Sequence, residues 1–258
     1  MDIGFSNSVK EFIFMEEHIN RFRCGDIKIV FLLFSLFFSF NSCASLPKYM
    51  RNAFTYCHNE KDTGIESLIN IDGYYIIFYP GTGFWKGSDS YMFYKNGLFT
   101  MNLPGEYDSV KKQYDISLGL QETAENPNGE KAKRFYNKIW GSYIVCGDII
   151  KIQYVDKPFP LSSTYGGEEW FKVIDRNTLI SINSMPLSTD KSDWQNYEHE
   201  YYKSIRDEKR KYRAVFMPVP VKPNPDEAWI LKEKWFWCNE QGWKNFMQKI
   251  EQKKIKKK

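Results

Sequence analysis

Few side chains in this 258-residue sequence could do chemistry, and their spacing limits what that chemistry would be. Cys43 is followed by Cys57, Cys146 and Cys238, with no Cys-x-x-Cys and no His/Cys group at metal-ligand spacing. Cys57 and His58 are neighbours, and neighbouring side chains on a strand point to opposite faces, so the pair is a poor start for a zinc site. An oxidising compartment permits one disulfide among Cys57, Cys146 and Cys238 and leaves one thiol over; spacing does not select the pair. Beyond residue 42 the histidines are His58 and His199, and neither lies in a nucleophile motif. Glu168 and Glu169 are adjacent, so on a strand they face opposite ways and cannot act together as the acid and base of a glycosidase. Pro80-Gly81-Thr82-Gly83 runs into Phe84-Trp85 rather than a helix carrying Lys-Ser or Lys-Thr, which excludes a phosphate loop. A binding or scaffolding role is therefore expected, with no catalytic residue, no metal and no cofactor.

Aromatic residues are the richer signal: 17% of the chain, as 8 Trp, 17 Tyr and 20 Phe. Most are expected to fill and belt a β-sheet core. Trp85 and Trp170 could also form a platform that stacks on sugar rings. Charged residues make up 26% and apolar ones 42%, close to the average for folded domains, which excludes collagen-like and wholly disordered chains.

These residues need elements to hold them. From Gly73, Tyr74, Ile76 and Phe78 alternate with Tyr75, Ile77 and Tyr79, so both faces of this strand are apolar until Pro80-Gly81 ends it. Ser90–Tyr94 and Leu98–Leu103 flank Lys95-Asn96-Gly97, and Asn-Gly supplies the positive φ angles of a tight hairpin. Ser142–Cys146 and Ile149–Val155 flank Gly147-Asp148, with Ile150, Ile152 and Tyr154 on one face and Lys151 and Gln153 on the other. A third hairpin joins Glu168–Asp175 to Thr178–Asn183 across Arg176-Asn177, with Asn expected in the left-handed region. Turns this short imply an antiparallel meander. Residues 104–139 read as polar, with a turn at Asn126-Pro127-Asn128-Gly129 and a short helix over Lys131–Ile139. Trp194, Tyr197, Tyr201 and Ile205 recur at helical spacing. Tyr212–Val221 reads as a last strand that Pro218 and Pro220 end or confine to an edge. Asn224 caps and Pro225 opens a helical extension, and a last helix from Glu240 carries Trp243, Phe246, Met247 and Ile250 on one stripe.

Upstream, Ile29–Phe40 is a twelve-residue apolar run without charge, preceded by Arg21, Arg23 and Lys28. As a helix it would rise about 18 Å, short of the roughly 30 Å hydrocarbon core, so it suits the apolar region of a secretory signal rather than a membrane span. Phe40-Asn41-Ser42-Cys43-Ala44-Ser45 follows. Over about residues 15–45 the sequence resembles a bacterial lipoprotein signal peptide with a relaxed lipobox. That resemblance implies cleavage before Cys43, lipidation of its thiol and stable anchoring through several acyl chains. Ala44 is not the Asp that retains lipoproteins at the inner membrane, so the implied location is the outer membrane, on its periplasmic face. Removing residues 1–42 takes away four basic and five acidic residues and leaves 32 basic against 27 acidic. The excess sits in the tail, at Lys249, Lys253, Lys254, Lys256, Lys257 and Lys258, so nucleic acid is not an expected partner.

A meander of six or more strands followed by a helix looks like a bacterial lipocalin-like barrel, over roughly residues 68–250; Gly73-Tyr74-Tyr75 stands where lipocalins usually carry Gly-x-Trp. The expected fold is mainly β, an antiparallel meander forming a closed or partly open barrel with C-terminal helices. The expected organisation is a signal peptide over 1–42 (1–14 being an over-extended start before Met15), a lipidated tether and lead-in over 43–68, the β domain over 69–221, a helical extension packed on it over 222–250, and a basic tail over 251–258. The resemblance implies an apolar small molecule inside the barrel, lined by Tyr74, Ile76, Phe78, Ile150 and Ile152. The alternatives are a carbohydrate-binding module using Trp85 and Trp170, and an envelope hydrolase.

Overall fold

The structure is a computed structural model and describes residues 46–78, 88–108, 113–158, 165–187 and 212–256. Cys43, the apolar run before it, Trp85 and the helix expected over Trp194–Ile205 lie outside these residues. The strands are β1 (Gly73–Phe78), β2 (Ser88–Phe93), β3 (Leu98–Met101), β4 (Glu106–Asp108), β5 (Gln113–Asp115), β6 (Trp140–Cys146), β7 (Ile149–Val155), β8 (Gly166–Asp175), β9 (Thr178–Pro186) and β10 (Arg213–Pro218). The helices are α1 (Lys48–Ala53), α2 (Ile116–Glu125), α3 (Glu130–Tyr136) and α4 (Glu240–Lys256).

Eight strands close into an antiparallel barrel in the order β1-β2-β3-β6-β7-β8-β9-β10, with β10 pairing back onto β1. The expected meander is therefore present and complete, and closure removes the exposed sheet edges. Between β3 and β6 the chain inserts the β4–β5 hairpin, α2 and α3. The hairpin and α2 lie where the sequence reads only as polar. Asp115 caps α2 by accepting from the Leu118 amide at 3.3 Å, and Leu120 is buried beneath it.

Strand alternation sorts the apolar side chains into two layers. Tyr75, Ile77, Tyr91, Phe93, Phe99, Tyr143, Ile150, Ile152, Tyr154 and Phe171 fill the barrel. Tyr74, Ile76, Met92, Tyr94, Leu98, Trp140 and Val155 point outward and are covered by Met50 and Phe54 from the lead-in, Phe135 and Tyr136 from α3, and Trp229, Phe236, Trp237 and Phe246 from the C-terminal extension. Leu46, Met50 and Phe54 are buried in the outer layer, so the lead-in over 46–54 is docked against the barrel.

The two ends of the barrel differ. One carries three tight turns, at 94–97, 147–148 and 176–177. Gly97 (φ 85°) and Gly147 (φ 63°) take the left-handed conformation that the short hairpins require. Asn177 does not take a positive φ; its turn is held instead by its own amide donating to Asp175 Oδ1 at 2.7 Å. Residues 63–70 cross this turn end and drop Ile65 and Ile69, both fully buried, into the barrel. The Thr63 amide donates to Lys95 O, the Asn70 amide to Arg176 O, and the Tyr75 hydroxyl to Arg176 O at 2.6 Å. The other, the loop end, is where β1 leads on to β2, β3 to β6, β7 to β8 and β9 to β10.

The lead-in and the C-terminal extension are fastened to one another outside the barrel. Cys57 and Cys238 form a disulfide. The His58 amide donates to Phe236 O at 2.8 Å, and the Cys238 amide donates to His58 O at 2.9 Å. Cys146, on the rim of the β6–β7 turn, is a free and exposed thiol.

Candidate functional site

Glu168 and Glu169 separate as adjacent residues on a strand must. Glu168 faces outward, where it accepts from the Tyr56 hydroxyl at 2.9 Å and from Gln153 Nε2 at 2.7 Å. Glu169 faces into the barrel and is fully buried. A carboxylate taken out of water needs hydrogen-bond donors to offset its lost hydration. Two hydroxyls supply them: Ser181 Oγ donates to Glu169 Oε1 at 2.8 Å, and Tyr91 Oη lies 3.1 Å from Glu169 Oε2. A register shift in the β8–β9 ladder beside Trp170 and Phe171 puts Ser181 across from Phe171, next to the carboxylate on the same inner face.

A second acid joins from β2, with Asp89 Oδ2 3.4 Å from the same Tyr91 hydroxyl. From β7, Tyr154 stands beside them. Burial first, then the nearby Tyr165, Glu169 and Asp89, hold its phenol well above the usual tyrosine value, so it stays a neutral hydroxyl. Tyr154 Oη lies 3.1 Å from Tyr165 Oη, and Tyr165 is 55% exposed. Gly167 makes room for this arrangement, because a Cβ there would stand 2.6 Å from Tyr154 Oη. Tyr91, Tyr154, Glu169 and Ser181, all buried, and the half-buried Asp89 thus form an acid–hydroxyl cluster on the half of the barrel nearer the loop end. Aromatic and aliphatic side chains fill the half nearer the turns. The cluster can accept and donate hydrogen bonds.

The residues expected to line an interior site are divided by the fold. Ile150 and Ile152 face inward and are fully buried, with Phe171 beside them in the interior core. Tyr74 and Ile76 face outward, under the lead-in and extension, and Phe78 faces outward with 64% of its surface exposed. The inward pair on β1 is Tyr75 and Ile77. Alternation could not decide this, because the outer face of β1 is covered as well and both faces had to be apolar.

Trp170 faces outward and is half-buried. The Lys151 ammonium sits 3.9 Å from its ring centroid, and its indole N–H donates to Glu168 Oε1. A sugar ring stacking on that face would have to displace a cation already held there.

His58 is buried against Phe236, at 5.5 Å between ring centroids, and Trp237, at 4.8 Å. Its Nδ1 has no hydrogen-bond partner, and burial lowers its pKa to about 4. Among the described residues no group of three or more His, Cys, Asp or Glu side chains is placed to hold a metal ion, and no helix is long and apolar enough to cross a membrane. A scan against protein-family models finds no match to this chain, and neither do searches of the curated proteins and of the solved structures.

Proposed function

We propose that this protein is a lipid-anchored lipoprotein of the cell envelope whose barrel binds a small, largely apolar molecule carrying a hydrogen-bonding group. The observation that carries the binding reading is the acid–hydroxyl cluster of Asp89, Tyr91, Tyr154, Glu169 and Ser181 inside an otherwise aromatic barrel. An eight-stranded barrel of this kind has room either for side chains alone or for side chains and one small ligand. Buried polar groups that fix orientation, set within an apolar wall, are the usual anatomy of small-molecule sites. Envelope residence is supported by the Cys57–Cys238 disulfide, since such bonds persist in oxidising compartments.

The test uses the full-length protein in phosphatidylcholine nanodiscs, titrated with N-phenyl-1-naphthylamine, an apolar fluorophore with one N–H donor. A saturable fluorescence rise above that of empty discs is expected. It should weaken about tenfold in Glu169→Leu, and less in Tyr165→Phe at the exposed end of the cluster. A wild-type signal no different from that of empty discs would remove the barrel as a binding site.

A further inference from the structure

Outside the barrel, near the loop end, lies a groove of about 570 Å³ lined by Asn102, Lys133, Arg134, Asn137, Lys138, Ile139, Asp156 and Lys157. Four of its side chains are cationic and one is acidic. They converge from separate parts of the fold: Lys133 and Arg134 from the last turn of α3, Lys138 from the link into β6, and Lys157 from the chain just past β7. Basic residues at the end of a helix are ordinary partners of its dipole, and that accounts for Lys133 and Arg134. It does not account for Lys138 and Lys157, which lie on no helix.

These charges are poorly neutralised by the protein itself. Lys133 pairs with Glu130 at 2.7 Å. Among the described residues, Arg134, Lys138 and Lys157 form no ion pair. The Lys157 ammonium donates to the Asn137 side-chain oxygen, a neutral acceptor, while burial and the nearby Lys232 disfavour its charge. Asp156 is the acidic side chain of the lining; burial raises its pKa, while nearby Lys138 opposes that shift. A concave site with several under-compensated cations and amide groups beside them suits a multiply charged oxyanion.

We propose that this groove is a binding site for a phosphate group, whether free or carried as a phosphomonoester. The site is separate from the barrel cluster, and the proposal does not rest on the barrel binding anything.

Full-length protein in phosphatidylcholine nanodiscs would be titrated calorimetrically with inorganic phosphate and, in a second arm, with soluble dihexanoyl phosphatidic acid. Saturable binding of at least one is expected. Inorganic phosphate binding would identify the phosphate group itself as sufficient, and binding of the phosphatidic acid alone would identify a lipid headgroup as the source. Arg134→Gln, at an exposed position that cannot disturb the core, should weaken binding at least fivefold. Lys157→Gln should do the same, and the double variant should abolish it. Lys254→Gln, which removes one charge from the tail, should leave binding unchanged. No saturable binding in either arm, or equal weakening by Lys254→Gln, would overturn the assignment.

Discussion

His58 shows what burial does to a single titratable group. It is packed between the rings of Phe236 and Trp237, its Nδ1 has no partner, and its pKa falls from 6.5 to about 4. The unfolded chain takes up a proton as pH drops through 6.5, whereas the folded chain does not until about pH 4. Stability should therefore be independent of this group above pH 6.5, fall between 6.5 and 4, and level off below. At about 1.4 kcal/mol per pH unit the loss is roughly 3 kcal/mol. Urea unfolding from pH 7.5 to pH 4 should show that slope in the wild type and lose it in His58→Phe; identical slopes would mean that the imidazole is not held neutral. Glu169 is a buried hydrogen-bond acceptor, its oxygens taking bonds from Tyr91 and Ser181. Removing a donor from a buried acceptor costs about 1–3 kcal/mol. Tyr91→Phe and Ser181→Ala should each lower stability by that amount, while Tyr165→Phe, which takes a partner from the Tyr154 hydroxyl but leaves the donors to Glu169 in place, should cost less. Equal effects from all three would show that the carboxylate does not need its inner donors.

Between elements, the decisive contact is the strap that joins the lead-in to the C-terminal extension. Cys57 and Cys238 are 181 residues apart in sequence. Linking them restricts the unfolded chain, and loss of such a bond typically costs about 2–5 kcal/mol. Cys57→Ala/Cys238→Ala should lower the unfolding free energy by that much while leaving the barrel's far-ultraviolet circular dichroism intact. Of Cys57, Cys146 and Cys238, a maleimide should label only Cys146 in the native protein and gain the other two after reduction; labelling of all three without reductant would refute the pairing. How far the elements were legible follows from the same physics. The hairpins at Asn96-Gly97 and Gly147-Asp148 were readable because turn chemistry is local, and the α4 stripe because one face is apolar. The hairpin and helix within residues 106–125 were not, since the apolar residues of α2 are sparse and its main signal is the Asp115 cap. The direction of β1 was hidden because Tyr74 and Ile76 are buried as deeply outside the barrel as Tyr75 and Ile77 are inside. Glu169 was half legible, as one of two adjacent carboxylates on a strand must turn inward. Its partners Tyr91 and Ser181, and the choice of Cys238 for Cys57, depend on register across the sheet and on docking, which no local pattern encodes.

At the scale of the whole molecule, a closed barrel offers a membrane no free sheet edge, and no described helix is suited to crossing one. The attachment proposed above comes instead from covalent lipid, with Cys43 as the acceptor thiol. The first described residue, Leu46, is buried in the outer layer of the core. Three residues of fully extended chain reach only about 10 Å, so acyl chains on Cys43 would hold this face of the barrel close to the bilayer. α1 presents Lys48, Tyr49 and Arg51 to solvent on that same stretch, residue types that suit an anionic, interfacial environment. Metabolic labelling with a palmitate analogue should mark the wild type and not Cys43→Ser. The variant should also move from the membrane fraction to the soluble fraction, because the two or more acyl chains that stable anchoring requires would be gone. Replacing Lys48 and Arg51 with Gln should leave labelling unchanged and loosen attachment only slightly, by about 1 kcal/mol for each charge near an anionic surface. Labelling that survives in Cys43→Ser would remove the anchor, while a variant that stays membrane-bound without label would mean that the barrel itself, rather than lipid, makes the attachment.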